Sequence, residues 1–494
     1  MNSNSIEVDQ HFCPLAKSPR RTPHYVSTLL LCWITLLSGT SLIGAPKTDP
    51  NLQSQLSAFI ENRAKLADTL ADKEKREVPK AARDYFTTAR QGNFNAASNL
   101  YEKFQALSTG EATKDSLRAD LYCVRQPVLE TFGVWEIYQD WHPKFLKLYG
   151  EKVIESIPEN SIYFGGTDPG RFIITIMGQA AKRKNPFIII TQNQLADGTY
   201  LNYLTKTLAD QITVPTHDDL QRCFQEYLAD VQKRMDQDRK FPNETLQIKP
   251  GENVKIVDNR VQVSGQTAVM NINALLVKII FDKNLEREFY IEESFPLAWT
   301  NPYLTPHGFI FKLNRKALAD LPPDIIQADN AFWNPYVKEW LGPWLTSETS
   351  VRDLADFVIT VYRQENFKGF KGDPRLLKDV NARKAFSKMR SAQAGLYAWR
   401  AETAQGQETK REMTREAEMA FKQAFAMCPI SSEALSRYVS LLASLGRFGD
   451  ATLLAETILK LDPDDQDASN LLKDLKKQEK APAKKLDPAS GLKL

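Results

Sequence analysis

Cysteine and histidine are scarce, with five of each in 494 residues. No CxxC pair and no Cys/His metal-ligand spacing occurs, which argues against a zinc site or a disulfide scaffold. Cys13 and Cys32 lie in or before the N-terminal apolar segment, and Cys123, Cys223 and Cys428 are far apart and odd in number. These last three read as single buried thiols. An excess of one charge is also missing: the net charge is +3, and no basic stripe is interleaved with aromatics. A nucleic-acid partner is therefore not expected. The GxGxxG fingerprint, the P-loop, the GxSxG elbow and the HExxH helix are all absent. Sequence grounds for dinucleotide, nucleotide, serine-hydrolase or metalloprotease chemistry go with them, and no cofactor and no metal are expected.

Long hydrophobic runs are rare, and the clearest one is N-terminal. Lys17, Arg20 and Arg21 precede the uncharged run 26–45, which contains LLLCWITLL. A basic region before an apolar stretch of this length is a secretory signal or a signal anchor. Small residues at Gly44-Ala45 suit cleavage, although Pro46 directly after them does not. Cys32 follows leucine, against a lipoprotein site. The chain is expected to be exported, and either periplasmic or anchored to the inner membrane by residues 26–45.

The rest has ordinary globular composition, 42% hydrophobic and 25% charged, with length for about three domains of ~150 residues. Residues 46–80 are polar and helical in pattern, a spacer helix leading away from the membrane. Residues 81–107 read as a helical hairpin turning at Gly92-Asn93. Ala97, Tyr101 and Phe104 there have the spacing of a tetratricopeptide second helix, and an ordinary hairpin fits equally.

The most patterned stretch is 161–204. Ile162, Tyr163 and Phe164 are β-formers, and Gly165-Gly166 ends their run. Thr167 or Asp168 suits a helix N-cap, with Pro169 at the first helical position. Phe172, Ile173, Ile176 and Met177 follow at helical spacing, Lys182, Arg183 and Lys184 close the helix, and 187–190 is a buried apolar strand. Further on, 211–215 reads as a third strand, 218–236 as an amphipathic helix, and 254–257 with 260–263 as a hairpin around Asp258-Asn259. Residues 269–281 are helical, and 288–292 and 309–313 are strands. The alternation implies a fold of class α/β: a mostly parallel, Rossmann-like sheet with flanking helices. C-terminal all-α tetratricopeptide-like repeats are expected to follow. Trp333, Trp340 and Trp344 read as helix packing on the core.

Pro429 and Pro463 stand 34 residues apart, the tetratricopeptide period. Ala417, Phe421, Ala424 and Pro429 fill the framework positions of one unit, and Ala451, Ala455, Ile458 and Pro463 those of the next. Residues 386–400 supply the first helix, 401–412 read as a long loop, and 464–476 as a capping helix. The domain organisation is 1–45 export segment, 46–117 helical spacer and hairpin, 118–316 α/β core, 317–385 helical connector, 386–476 repeats and 477–494 disordered basic tail.

A glycine-rich turn between strand and helix can hold an anion on its unpaired N–H groups. Here it is Gly165, Gly166, Thr167, Asp168, Pro169 and Gly170, and Asp168 would repel a phosphate. Together with Arg171, Gln192, Asn193 and Asp197, these residues belong at the carboxyl edge of the sheet, where open α/β folds bind ligands. The plainer alternative is that Asp168 and Asp197 cap helices while Gln192 and Asn193 satisfy loop backbone. His217 and His307 are isolated, and Glu292-Glu293 point to opposite sides of a strand rather than forming an acid/base pair. No catalytic residue is assigned.

The segments IPENSIYFGGTDPGRF, PFIIITQNQLADGTYLNYL, EFYIEESF and PYLTPHGFIFKLNR together resemble an uncharacterised family of verrucomicrobial-type bacterial proteins ending in tetratricopeptide repeats, over roughly 118–462. Over about 157–313 the same order more distantly resembles the soluble domain of bacterial protein-O-mannosyltransferase-like membrane proteins. The polytopic part in which such transferases would carry an acidic catalytic residue has no counterpart here. The resemblance therefore implies a helper or glycan-related binding role. The expected function is a non-catalytic scaffold that binds a protein partner through its repeats. The alternative is a protein that binds, or an enzyme that acts on, a sugar or small polar ligand at the sheet-edge crevice.

Overall fold

The computed structural model describes residues 49–480, apart from 111–112, 182, 185, 243–246, 250, 258–259, 294 and 296. The export segment expected over 1–45, Lys182 and nearly all of the expected basic tail lie outside the described residues. Two compact units are present. Among described residues the smaller spans 228–269, and the larger comprises 49–227 and 270–480.

The larger unit is mostly helical. Helices α1 (Pro50–Lys73), α2 (Lys80–Arg90), α3 (Phe94–Thr109), α4 (Asp115–Asp140) and α5 (Pro143–Ser156) come first. Helix α1 does not stand away as a spacer. It packs along α4, burying Phe59, Ile60, Ala64, Ala67 and Leu70, because these recur on one face of the helix. Helix α4 is buried continuously from Gln126 to Trp135. Gly133 lets it approach the next layer: a Cβ there would lie 2.0 Å from the Phe172 ring.

Strand β1 (Ile162–Gly165) runs into a π-helical turn (Pro169–Ile173), helix α6 (Ile174–Ala180) and strand β2 (Ile188–Thr191). A short 3-10 turn (Gln192–Gln194) leads to α7 (Gly198–Leu208), and α8 (His217–Lys240) follows. After α9 (Gln266–Lys283) come β5 (Phe289–Ile291), β6 (Leu304–His307) and β7 (Ile310–Leu313). The sheet order is β2-β1-β5-β7-β6. β1 is parallel to β2 and β5, whereas β7 is antiparallel to both β5 and β6.

The expected mostly parallel, Rossmann-like sheet is therefore corrected to a small mixed sheet of five strands inside a mostly helical protein. Two local causes are visible. Residues 211–215 form no strand. The side-chain amide of Asn284 takes both ladder groups of Thr213, accepting from its N–H at 2.8 Å and donating to its carbonyl at 3.1 Å. The chain then turns back at Gly308, whose φ of +63° suits glycine, so β6 and β7 form an antiparallel hairpin. Pro306 fits in β6 because that strand is at the sheet edge.

Helices α10 (Pro323–Leu341), α11 (Val351–Val358) and α12 (Pro374–Lys378) lead to α13 (Val380–Thr403), α14 (Gln407–Met427), α15 (Ser432–Ser444), α16 (Phe448–Leu461) and α17 (Gln466–Lys480). The long loop expected over 401–412 is only 404–406, since α14 begins at Gln407. Helix α13 is enclosed along its length. Its Arg390 pairs with Asp329 of α10 at 2.7 Å, both essentially without exposure, and donates to Gln423 of α14. Gln393 donates to the carbonyl of Gly308 and accepts from Trp333, which ties the helices to the β6–β7 turn. Trp333 and Trp340 are fully buried.

In the smaller unit, β3 (Asn253–Val257) and β4 (Arg260–Ser264) form a separate two-stranded hairpin. The turn expected at Asp258-Asn259 lies outside the described residues. Val254 faces Val263 and Ile256 faces Val261. Arg234 anchors this unit by donating to both carboxylate oxygens of Glu252 and to the carbonyl of Gln247.

Candidate functional site

The turn after β1 is an anion cradle, and the chain supplies its own anion. Oε2 of Glu292 accepts the backbone N–H groups of Gly166 at 3.1 Å and Thr167 at 2.9 Å. Oε1 accepts the Thr167 hydroxyl at 2.5 Å and the Tyr149 hydroxyl at 3.0 Å. Glu292 follows β5, which is parallel to β1, so the two strands deliver the carboxylate and its donors to the same edge. The Thr167 hydroxyl also accepts from the N–H of Gly170 at 3.0 Å, which makes Thr167 the side-chain cap of the turn. Tyr163 donates to the Gly170 carbonyl at 3.0 Å. Burial and the Glu292 charge together hold the Tyr149 hydroxyl well above its usual range, so it stays a donor.

The other expected residues lie around this cradle. Asp168 accepts from Arg171 Nη2 at 2.6 Å, a local pair between neighbouring turns of chain. Asn193 donates to the Gly166 carbonyl at 2.8 Å, and Asn273 of α9 donates to the Asn193 carbonyl at 3.1 Å. Gln192 is fully buried, with Oε1 lacking a hydrogen-bond partner among the described residues. Gly165 closes against the Gly170 carbonyl, 2.7 Å from where its Cβ would be. Asp197 caps α7 by accepting from Thr199 N–H at 2.8 Å, and pairs with Arg125 of α4 at 2.8 Å. The structure thus brings Gly165, Gly166, Thr167, Asp168, Gly170, Arg171 and Asn193 into one turn cluster. Asp197 belongs to a second cluster with Arg125.

That second cluster lines a small pocket with Gln126, Gln194, Tyr200 and Lys206. Its interior of about 20 Å³ has room for a water-sized occupant. Oε1 of Gln194, a residue of this lining, is buried without a hydrogen-bond partner among the described residues. On the turn side, Glu136 of α4 is pushed up to about 7 by burial, then by the nearby charges of Asp140 and Asp168. His307 is held by the Ser156 carbonyl at 2.8 Å. Among the described residues no group of His, Cys, Asp and Glu side chains could hold a metal ion.

Glu292, Tyr149 and Glu136 were not among the residues the sequence singled out for this site. Glu292 did carry a signal: it is the first acidic residue after a strand that pairs in parallel with the glycine-turn strand. Tyr149 and Glu136 carry none, because helix packing alone brings them to the edge.

At the other end of the chain, Ala417, Phe421 and Ala424 of α14 and Ala451, Ala455 and Ile458 of α16 are all buried. Pro429 and Pro463 each follow their helix by two residues. Among the described residues no helix is long and apolar enough to cross a membrane. No family model, curated protein or solved structure matches the chain.

Proposed function

We propose that this chain is a non-catalytic interaction scaffold whose C-terminal helices act as tetratricopeptide-like repeats and bind a protein partner. The observation that carries this reading is the packing order of α13 to α17. Each helix packs on the next, and α13 also packs on α15, as α15 does on α17. That nearest-neighbour pattern, with small residues at the seams, is how stacked helical repeats bury a continuous core. The cradle after β1 agrees with a scaffold, since its donors are engaged by Glu292. Because α13 is enclosed and α15 is mostly buried, the partner is assigned to the exposed surface of α17. Export, with residues 26–45 as signal or inner-membrane anchor, belongs to the same proposal, and so does the family resemblance with its implied helper role.

The test is crosslinking purification of the tagged full-length protein from membranes and periplasm. The expected result is a partner crosslinked within 386–476 and lost in a Lys473→Glu/Lys477→Glu variant, both positions being exposed on α17. A partner that crosslinks elsewhere, or none above background, overturns the reading.

A further inference from the structure

Two adjacent carboxylates at the end of β5 reach in different directions. Glu292 enters the glycine turn, where four donors converge on its two oxygens. Glu293 pairs with Arg437 of α15 at 2.7 Å, and the same guanidinium pairs with Glu433 at 2.9 Å. Arg437 is 7% exposed at its side chain, so Glu293 is part of a nearly buried pair and not a surface contact. The donors around Glu292 are two backbone N–H groups and two hydroxyls. Such a set recognises an oxyanion by its geometry and charge, whether or not that anion is tethered to the chain. Gly170 completes the fit, for a Cβ there would lie 1.6 Å from Oε2.

We propose that the 165–170 turn is an oxyanion receptor whose resident ligand is Glu292, that it takes a small carboxylate once the Glu292 carboxylate is removed, and that emptying the turn is transmitted to α15 through Glu293 and Arg437. The transmission follows from covalent geometry. Neighbouring residues share a peptide plane, so freeing the Glu292 side chain from its four donors loosens the backbone segment that also carries Glu293. A charge-assisted contact of 2.7 Å does not survive a shift of an ångström or more. The coupling is reciprocal, so loosening the Arg437 pair also weakens retention of Glu292 in the turn. In the intact protein the tethered carboxylate outcompetes a dissolved one through its high effective concentration. The receptor is therefore closed at ordinary anion concentrations, and removing the Glu292 carboxylate exposes it. This inference is independent of the partner proposed above.

The experiment uses full-length protein as wild type, Glu292→Ala and Glu292→Gln, with sodium acetate as probe and sodium chloride at matched ionic strength as control. Thermal melting and amide hydrogen exchange are read together. Glu292→Ala is expected to melt lower than wild type and to be restabilised by several degrees, saturably, by millimolar acetate. Protection of amides 433–440 is expected to fall at least tenfold in that variant and to recover with acetate. Wild type and Glu292→Gln, in which a side chain fills the site, are expected to show no saturable response. An equal acetate effect in all three proteins overturns the receptor, and unchanged protection of 433–440 in Glu292→Ala overturns the transmission. If Glu292→Ala does not fold, Glu293→Gln decides: the amides of 166–168, 170 and 171 exchange faster if the coupling exists, and at the wild-type rate if it does not.

Discussion

The carboxylate of Glu292 occupies the space that a side chain at Gly170 would need, with Oε2 1.6 Å from the position of a Cβ. The two residues are far apart in sequence, so the requirement for glycine at 170 is set by a partner on another strand. Gly170→Ala is expected to cost about 3 kcal/mol, because the carboxylate must leave its donors or the turn must open. Gly449, near the start of α16, has nothing within 4 Å of its Cβ position. Gly449→Ala is expected to be neutral or to stabilise by about 0.5 kcal/mol. Urea unfolding of the two variants side by side checks the contrast.

Tyr149→Phe removes one of the two hydroxyls on Oε1 of Glu292. A loss of about 1–2 kcal/mol is expected, the usual range for a buried bond to a charged group. Thr167→Val also removes the acceptor for Gly170 N–H and is expected to cost more. The double variant should lose less than the sum, since both bonds share one oxygen. Strict additivity in the denaturation cycle would mean that the two hydroxyls act independently.

Glu136 makes stability depend on pH in a defined direction. Burial, then the charges of Asp140 and Asp168, raise its folded value to about 7, above the ordinary glutamate value of 4.5. The folded state therefore holds this proton more tightly than the unfolded chain does. The resulting stabilisation is full below about 4.5 and is lost as the pH rises through about 7. Asp140 and Asp379 are also raised, chiefly by burial, and act in the same sense. Glu136→Gln should flatten the fall in unfolding midpoint between pH 5 and pH 7.5, compared by urea titration at both values. An unchanged slope would place the titrating group elsewhere.

Asn284→Ala removes the side chain that pairs both backbone groups of Thr213. A cost of about 2–3 kcal/mol is expected, because a donor and an acceptor lose their partners together. Hydrogen exchange at Thr213 should rise with it. Asn284→Asp keeps the acceptor and loses the donor, so it should fall between wild type and alanine.

Much of the local structure was readable in the sequence. The 34-residue proline spacing located α14 and α16, and short runs of β-formers located β1, β2 and the β3–β4 hairpin. These signals are local: a helix face or a strand repeats its pattern within one element. The strand expected at 211–215 failed because its apolar residues look the same whether a neighbouring strand or the Asn284 amide satisfies the backbone. The candidate site was legible by half. The glycine turn announces unpaired N–H groups, but nothing in its own residues says which anion meets them.

The sequence by itself determined where most helices and strands form, that a glycine turn follows β1, and that small residues recur at the seams of α14 and α16. Only the tertiary structure decided that the sheet is mixed, that α13 is enclosed, and that Glu292 rather than an external ligand fills the cradle. The physical reason is range. Propensity, capping and periodicity act over a few residues, whereas strand order and the pairing of a carboxylate with donors more than a hundred residues away are settled by which surfaces pack together.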